Sequence, residues 1–337
     1  MTDVKTRSPS TVASRRIESD ELGFEQYRPE LTGYCYRMLG SAFEAEDAVQ
    51  ETLVRAWRGL DGFEGRSAVR SWLYRIATNV CLDMLRGRQR RALPMDFGPA
   101  VTGALAPGPT RPAEAWLEPI PEGWLGPAGG DPADLVVSRE DIRLAFVAAL
   151  QHLPPRQRAV LILREVLNWK ASEVAELLGG TVASVNSALQ RARSTLAATD
   201  VEGSGQSEQL DEVDGELLAR YLDAFQRYDL ESLTALIHED ATQSMPPYEM
   251  WLKGREDILD WWTGPGAGCR GSRLIPTRAN GAAAFGQYRP SPSGSGYEPW
   301  ALQVLEVADG RVVDFTFFLD TDRLFPLFGL PPRLRFS

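Results

Sequence analysis

The stretch SEVAELLGGTVASVNSALQRARSTL, residues 172–196, decides the class of the fold. Apolar residues at helical spacing predict a short first helix, and Gly179-Gly180 predicts a tight turn after it. Thr181 is a favourable N-cap residue, so a second helix is expected to begin directly after it. The predicted apolar side of that helix consists of Val182, Val185, Leu189, Ala192 and Leu196. Its opposite side carries small hydrogen-bonding residues bordered by arginines, which suits a helix that enters the major groove of DNA.

The charge of the chain is unevenly distributed. Its 337 residues include 46 acidic and 36 basic side chains, a formal net charge of −10. Residues 200–337 carry 22 acidic and 12 basic side chains, whereas residues 138–199 carry 5 and 8. Residues 1–93 carry 13 and 15. The acidity therefore lies mainly in the C-terminal third and leaves the two helical segments locally basic, which is compatible with DNA binding.

Composition excludes several classes of protein. No apolar run approaches the ~20 residues that a membrane span needs. Residues 1–21 are polar, which predicts a disordered leader rather than a secretory signal. The three cysteines are widely spaced, which favours a reducing cytoplasm, and with only two histidines a Cys/His metal site is not expected. The sequence predicts a cytoplasmic protein without metal or cofactor.

Two low-complexity stretches divide the chain. Residues 94–137 are rich in Pro and Gly and are acidic, which predicts an extended tether. Residues 200–215 form a second, acidic linker. The expected domains are two all-α units, residues 22–93 and 138–199, followed by an α+β unit, residues 216–337.

Two segments of the first unit are informative. AEDAVQETLVRAW, residues 45–57, has apolar residues at a period near 3.6, which predicts an amphipathic helix. RSWLYRIATNVCLDMLRGRQRR, residues 70–91, contains six arginines and one acidic residue. This is the densest positive segment of the chain and a candidate nucleic-acid surface.

The third unit begins with an amphipathic helix pair, ELLARYLDAFQRYDLESLTALI, and continues with strand-like segments. LQVLEV-ADG-RVVDFTFF, residues 302–318, predicts a β-hairpin that turns at Asp309-Gly310. We expect helices that pack on a curved antiparallel sheet. The apolar tail LFPLFGLPPRLRFS is either a contact segment or the last part of the core.

Residues 24–198 resemble a group IV, extracytoplasmic-function (ECF) RNA polymerase sigma factor. Residues 45–57 resemble the segment that docks on the polymerase, and residues 70–91 resemble the part that melts and recognises the −10 promoter element. LPPRQRAVLILREVLNWKASEVAELLGGTVASVNSALQRAR, residues 153–193, resembles the −35-recognising domain. The resemblance implies that core RNA polymerase and promoter DNA are partners, that the chain has no catalysis of its own, and that the linker passes through the product channel of the polymerase.

The resemblance assigns roles to individual residues. The expected polymerase-binding residues are Asp47, Gln50, Glu51, Leu53 and Trp57. The expected −10 residues are Asn79, Asp83, Arg86, Arg88, Arg90 and Arg91. The expected −35 residues are Thr181, Ser184, Asn186, Ser187, Gln190, Arg191 and Arg193. Many relatives have Lys where this chain has Asn186 and Arg where it has Ala188, so phosphate contact is expected to be weaker here.

Residues 216–337 are similar to the SnoaL-like, NTF2-like fold, a cone-shaped sheet around a pocket. The resemblance implies regulation by intramolecular contact with the sigma domains, and the acidity of this unit would oppose their basic faces. A pocket for a ligand of unknown identity is a further possibility, with candidate residues Met245, Tyr248, Trp251, Trp261, Trp262, Trp300 and Phe315, and the alternative is that these side chains only fill the cone. Folds of this kind include enzymes, for which the candidate acid–base residues would be His238, Asp240, Asp314 and Asp320.

Two other functions stay open at the level of sequence. One is a stand-alone helix-turn-helix repressor with an effector-binding domain, and the other is a fused SnoaL-type enzyme. A repressor has no use for residues 45–57 and 70–91, which favours the sigma factor.

Overall fold

The structure is a computed structural model that describes residues 23–60, 63, 68–103, 106–125, 141–198 and 212–335. The expected leader, residues 1–21, lies outside the described residues, as does most of the expected second linker. Within the described ranges, no helix has the length and apolar character needed to span a membrane.

The first helical domain is formed by α1 (Arg28–Leu39), α2 (Ala42–Gly59) and α3 (Val69–Met84). Helix α2 begins after Ser41 because the Ser41 hydroxyl accepts a hydrogen bond from the main-chain N–H of Glu44 at 3.2 Å. The hydroxyls of Tyr34 and Thr78 join α1 to α3 at 2.7 Å within the core. The helical character expected for this unit is confirmed.

The second helical domain is formed by α4 (Leu144–Gln151), α5 (Pro155–Leu161), a π-helical turn (Ile162–Val166), α6 (Ala171–Leu177) and α7 (Val182–Ala198). Gly179 has a φ of 61°, a left-handed conformation that glycine adopts without strain, and it makes the turn between α6 and α7. The Thr181 hydroxyl accepts from the N–H of Ser184 at 3.1 Å, and the Ser184 hydroxyl accepts from the N–H of Thr181 at 3.0 Å. The predicted cap at Thr181 is therefore confirmed.

The C-terminal domain combines helices with one sheet. Its helices are α8 (Glu212–Arg227), α9 (Leu230–Leu236), α10 (Arg255–Thr263) and α11 (Thr321–Leu327). Its strands are β1 (Ile237–Ser244), β2 (Trp251–Lys253), β3 (Arg273–Ala279), β4 (Ala282–Pro290), β5 (Tyr297–Ala308) and β6 (Arg311–Phe318). Helix α8 begins at Glu212, inside the stretch expected to be a linker.

The sheet has the strand order β2-β1-β6-β5-β4-β3 and is mixed. Strands β1 and β6 are parallel, so the expected purely antiparallel sheet is wrong for this pair. The physical reason is that alternation in a strand's own sequence does not specify its partner. The hairpin of β5 and β6 is confirmed: Asp309 and Gly310 both have positive φ, as a tight two-residue turn requires.

Both faces of the sheet are covered. One face packs with α8, α9 and α10 in a core that includes Ala301 and Leu305. The other face contributes Leu302 and Val304 to a continuous apolar cluster that also contains the cores of the two helical domains. Successive side chains of β5 thus enter different cores, because they point to opposite faces of the sheet. The C-terminal domain therefore shares a core with the helical domains.

The described part of the first linker is folded rather than extended, and residues 126–137 of the expected tether lie outside the described residues. Residues 92–103 and 106–125, which we call the docked linker, cross the C-terminal domain and return. Its main chain pairs with β2 from Val101 N to Trp251 O at 2.9 Å, and with Pro247 from Arg111 N at 2.9 Å. Trp116, Leu117 and Ile120 are buried. The expected extended tether is wrong here because these few apolar side chains anchor a segment whose overall composition is that of a linker.

Candidate functional site

The exposed side of α3 and the segment that follows it carry the residues expected to contact the −10 element. Asn79 and Asp83 are exposed, and the Arg86 side chain extends into solvent. Arg88 pairs with Glu44, and Arg90 lies 3.2 Å from Asp96. These side chains form a mixed polar surface in which Arg86 is the most accessible cation.

Arg91 departs from the expectation for this set. It is only 7% exposed and lies 3.0 Å from a carboxylate oxygen of Glu44. Its guanidinium also donates to the main-chain oxygens of Ala113 and Trp116 in the docked linker, at 3.0 and 2.6 Å. In this conformation Arg91 anchors the linker and is buried, because carboxylates and carbonyls distant in sequence surround it, and its assignment to DNA binding stays a prediction.

Helix α7 presents the expected −35 residues to solvent. Thr181, Ser184, Asn186, Ser187, Gln190, Arg191 and Arg193 are all exposed. Val185, Ala188, Leu189 and Ala192 face the core. Val182, expected on the apolar side, is 44% exposed, because it lies in the first turn of the helix. Ala188, where many relatives have Arg, is 8% exposed in this chain.

The expected polymerase-docking residues divide between surface and core. On α2, Asp47 and Gln50 are exposed, Glu51 pairs with Arg55 at 2.6 Å, and Trp57 is 43% exposed. Leu53, by contrast, is 4% exposed and is part of the core, so its assignment as a docking residue is corrected. Its neighbour Val54 is 40% exposed and had not been identified. A helix turns by about 100° per residue, so a core Leu53 places Val54 outside.

The two helical domains pack directly on each other. The rings of Tyr74 in α3 and Trp169 in the second domain have centroids 5.1 Å apart, and Arg70 lies over both rings. Arg158, buried in α5, donates to the main-chain oxygens of Gln151 at 3.0 Å and of Met38 in α1. The candidate −10 and −35 surfaces thus belong to two domains that are in direct contact.

A single asparagine of the C-terminal domain lies at the junction of the other parts. Asn280, in the tight turn between β3 and β4, is fully buried. Its side-chain NH2 donates to the Tyr36 hydroxyl at 2.7 Å and to the main-chain oxygen of Ile142 at 2.8 Å. Its side-chain oxygen accepts from the N–H of Ile120 at 3.0 Å. We call Asn280, Tyr36, Ile120 and Ile142 the interdomain joint.

Ion pairs surround the interdomain joint. Arg143, at the start of α4, lies 2.6 Å from Glu306 in β5. Arg323, in α11, lies 2.9 Å from Glu118 of the docked linker and stacks over Phe43. Burial raises the pKa of Glu306 to about 7 even though Arg143 opposes the shift. The expected electrostatic cover of the DNA-binding faces is therefore not what the structure shows, since the contacts lie at the joint and the faces stay exposed.

A cavity of about 160 Å³ opens between the C-terminal domain and the docked linker. Five of the seven candidate pocket residues line it: Met245, Tyr248, Trp261, Trp262 and Trp300. Trp251 does not, because its indole N–H donates to the main-chain oxygen of Gly98 at 2.8 Å. Phe315 does not, because it is fully buried in the core beneath Trp262. These two assignments are corrected.

The four candidate acid–base residues lie away from this cavity. Asp314 accepts from the hydroxyls of Thr242 and Thr316 in the sheet, and burial raises its pKa. Asp320 is exposed and pairs with Arg323 at 3.2 Å. The N–H of Asp240 donates to the His238 ring within β1. Among the described lining residues there is no carboxylate or imidazole.

Comparison with known proteins divides the chain in the same order. Residues 24–91 match the family model for Sigma-70 region 2, and residues 143–196 match that for Sigma-70 region 4. Residues 218–315 match the model for the SnoaL-like domain. The ECF RNA polymerase sigma factor SigG of Mycobacterium tuberculosis (strain CDC 1551 / Oshkosh) is 46% identical over 313 residues, 92% of this chain and 83% of that protein.

The chain belongs to the ECF RNA polymerase sigma factors. A second member, SigJ of Mycobacterium tuberculosis (strain ATCC 25618 / H37Rv), is 31% identical over 65% of this sigma factor and 62% of its own length. The crystal structure of the M. tuberculosis ECF sigma factor SigJ aligns with a TM-score of 0.58 at 24% identity, and covers 92% of this chain and 99% of that one. That likeness concerns the fold. This chain is a sigma factor with a fused SnoaL-like domain.

Sequence reasoning missed three residues of this sigma factor that the structure brings forward. Val54 lies next to Leu53, and a correct assignment of the buried side of α2 would have identified it as exposed. Asn280 stands before Gly281, a pair that is typical of a tight hairpin turn, but no local signal reveals its distant partners. Arg289, on β4, lines the cavity, and the alternating pattern of a strand gives no signal that distinguishes it from a surface arginine.

Proposed function

We propose that this sigma factor binds core RNA polymerase in the cytoplasm and recognises −10 and −35 promoter elements with the exposed residues of α3, of the segment that follows α3, and of α7. Its C-terminal domain holds the two helical domains together in the free protein. The observation that carries this proposal is the interdomain joint, in which Asn280 bonds at once to the first helical domain, the docked linker and the second helical domain.

Distances along promoter DNA indicate that the closed form does not reach both promoter elements. Elements centred at −10 and −35 are about 25 base pairs apart, which is roughly 85 Å of duplex at about 3.4 Å per base pair. A compact chain of this length has a radius of gyration of about 20 Å. Two domains packed through Tyr74 and Trp169 do not reach both elements. Promoter recognition therefore requires the helical domains to separate.

Opening of the joint has an energetic cost that polymerase must offset. A buried polar group left without its partner costs about 1–3 kcal/mol, and Asn280 satisfies three such groups. The exposed Val54 and Trp57 on α2 are apolar surface of the kind that partners cover. Docking of α2 on polymerase, together with passage of the linker through its channel, is the proposed source of that free energy.

We propose that the SnoaL-like domain acts without catalysis. The four acid–base candidates lie outside the cavity, and the described cavity lining has no carboxylate or imidazole to move a proton. Turnover that depends on His238, Asp240 or Asp314 would contradict this part of the proposal. Alanine variants at these three positions, assayed for loss of any activity of the purified protein, provide that test.

Run-off transcription with the purified chain and core RNA polymerase on genomic fragments tests the proposal as a whole. We expect promoter-dependent transcripts, and weak binding to duplex DNA when polymerase is absent. Tight polymerase-independent binding in a gel shift, without transcription, would instead identify a stand-alone repressor. Point variants are preferred to deletion of residues 205–337, because the sheet shares a core with the helical domains and deletion would expose it.

A further inference from the structure

The cavity of the C-terminal domain has walls suited to a flat ring. The indoles of Trp261, Trp262 and Trp300 line it, together with apolar side chains from the sheet and α8. Its volume of about 160 Å³ is close to the ~150 Å³ of an engineered cavity in another protein that binds benzene. A ligand with one aromatic ring fits this space.

Arg289 supplies a cation to this apolar space. Its guanidinium carbon lies 3.1 Å from the centroid of the Trp300 ring, and Nη2 lies 2.9 Å from the Sγ of Cys269. Its Nε is buried and has no hydrogen-bond partner. Glu298, its partner across the sheet, accepts a hydrogen bond from Ser291 at 2.8 Å instead. No carboxylate of the described residues forms an ion pair with Arg289.

A partly desolvated guanidinium without a counterion is unfavourable, and a bound anion relieves that cost. Gln243 adds a second polar group to the lining. Its side-chain oxygen accepts from the indole N–H of Trp262 at 2.7 Å, which leaves the NH2 group as a donor. The polar groups of this cavity thus include a cation that has no ion-pair partner among the described residues and a neutral donor, both set among aromatic rings.

We propose that the cavity binds a single-ring aromatic carboxylate, with its ring among the tryptophans and its carboxylate on Arg289. The aromatic and the cationic residues of the lining have different roles in this arrangement. The tryptophans bury the ring, and Arg289 discriminates the anion from a neutral analogue of the same shape.

The docked linker closes one side of the cavity. Pro107 lines it, and the main chain around Pro107 is held to the C-terminal domain from Glu249 N to Pro109 O at 3.2 Å and from Arg111 N to Pro247 O at 2.9 Å. A ligand that contacts Pro107 binds more tightly when the linker is docked, so by linkage it favours the docked state. The ligand is therefore an inhibitor of opening. This coupling rests on the proposed function, whereas the binding site does not.

Binding is tested with named probes on the full chain, without polymerase. Benzoate and salicylate are titrated against benzamide and salicylamide, with tryptophan fluorescence and calorimetry as readouts. We expect the carboxylates to bind with a Kd of about 1 mM or tighter, and at least about tenfold more tightly than the amides. Equal affinity for acid and amide, or no saturable binding, overturns the proposal.

Substitutions test whether Arg289 is the source of the preference for carboxylates over amides. In Arg289→Gln the preference for carboxylate over amide is expected to fall below twofold, while Arg289→Lys retains part of it. Arg273→Gln removes an exposed arginine of the same sheet outside the cavity and is expected to change nothing. A preference that survives in Arg289→Gln, in a protein shown by circular dichroism to be folded, overturns the assignment.

The coupling is tested by hydrogen exchange of the docked linker. Saturating salicylate is expected to slow exchange at Val101 and Arg111 at least about threefold in the wild type, but not in Arg289→Gln. Binding without this protection contradicts the coupling. Because transcription is not measured, a failure here is distinct from a failure of the proposed sigma activity, which run-off transcription tests.

Discussion

Asn280 donates a hydrogen bond to the hydroxyl of Tyr36 at 2.7 Å across 244 residues of sequence. The same Tyr36 hydroxyl donates to the main-chain oxygen of Glu118 at 2.8 Å. The first helical domain, the docked linker and the C-terminal domain are therefore joined through one pair of side chains. Because neither side chain is exposed, rupture of the joint leaves polar groups without partners unless water enters.

Loss of the Asn280 side chain is predicted to loosen the joint. Asn280→Gly keeps the positive φ of the turn, so its effect reports the lost hydrogen bonds rather than strain. We expect at least about tenfold faster hydrogen exchange at Ile120 and several-fold higher run-off transcription at limiting polymerase. Asp309→Gly, in the equivalent but exposed turn of β5 and β6, is the matched control. Unchanged exchange at Ile120 would show that the joint does not hold the closed form.

The rotation of α2 predicts opposite outcomes for two adjacent residues. Val54→Asp places a charge on the exposed apolar surface and is expected to weaken binding to core polymerase at least about tenfold with little change in Tm. Leu53→Ala removes a core side chain and is expected to lower the free energy of unfolding by about 2–4 kcal/mol. Polymerase affinity is measured by fluorescence anisotropy and stability by urea unfolding. The reverse pattern would mean that Leu53 is the docking residue.

Two arginines of the candidate −10 segment are predicted to behave differently. Arg86→Ala is expected to weaken promoter opening several-fold without loss of stability, since the side chain is exposed. Arg91→Ala removes one of the two arginines paired with Glu44 and a buried donor to two linker carbonyls, and is expected to lower Tm by several degrees. Permanganate footprinting and thermal unfolding separate the two effects. Equal loss of opening at unchanged Tm would return Arg91 to the DNA surface.

A single substitution on α7 is predicted to strengthen DNA contact. Asn186 is exposed beside the candidate −35 residues, and Asn186→Lys adds one cation there. We expect tighter binding of holoenzyme to promoter DNA at low salt, and a slope of log K against log salt that is steeper by about 0.9. Asn186→Gln is the neutral control. An unchanged slope would mean that this position does not face a phosphate.

The buried Glu306 predicts a pH dependence of stability. Its pKa is about 7 in the folded protein because burial disfavours the charge, and Asp314 nearby adds to the shift while Arg143 opposes it. An unfolded chain releases this proton near pH 4.5, so stability declines as pH rises from about 4.5 to about 7.

Glu306→Gln lacks this titration, so its Tm is expected to fall less than that of the wild type between pH 5 and pH 8. The difference in unfolding free energy over that range is on the order of 3 kcal/mol. Calorimetry of both proteins across the pH range provides the measurement, and the slopes of Tm against pH are compared rather than the Tm values themselves. Parallel slopes would show that Glu306 stays ionised.

Much of the fold follows from local patterns. The helix spacing of residues 45–57, the cap at Thr181 and the turn at Asp309-Gly310 depend on neighbours a few residues away, and the structure has all three. The pairing of β1 with β6 was not predictable, because these strands are separated by the rest of the domain. The burial of Leu53 was readable from the apolar period of residues 45–57, whereas the contacts of Arg91 were not, since they depend on carboxylates and carbonyls distant in sequence.

By itself, the sequence determined that this protein is built from two helical DNA-binding units and an α+β unit, because periodicity and motif spacing are properties of neighbouring residues. Only the tertiary structure decided that the linker docks, that Asn280 joins three parts of the chain, and that Arg289 lines an aromatic cavity. Each of these depends on contacts between residues far apart in sequence. Such contacts form only when several elements bury their surfaces together, which no local pattern encodes.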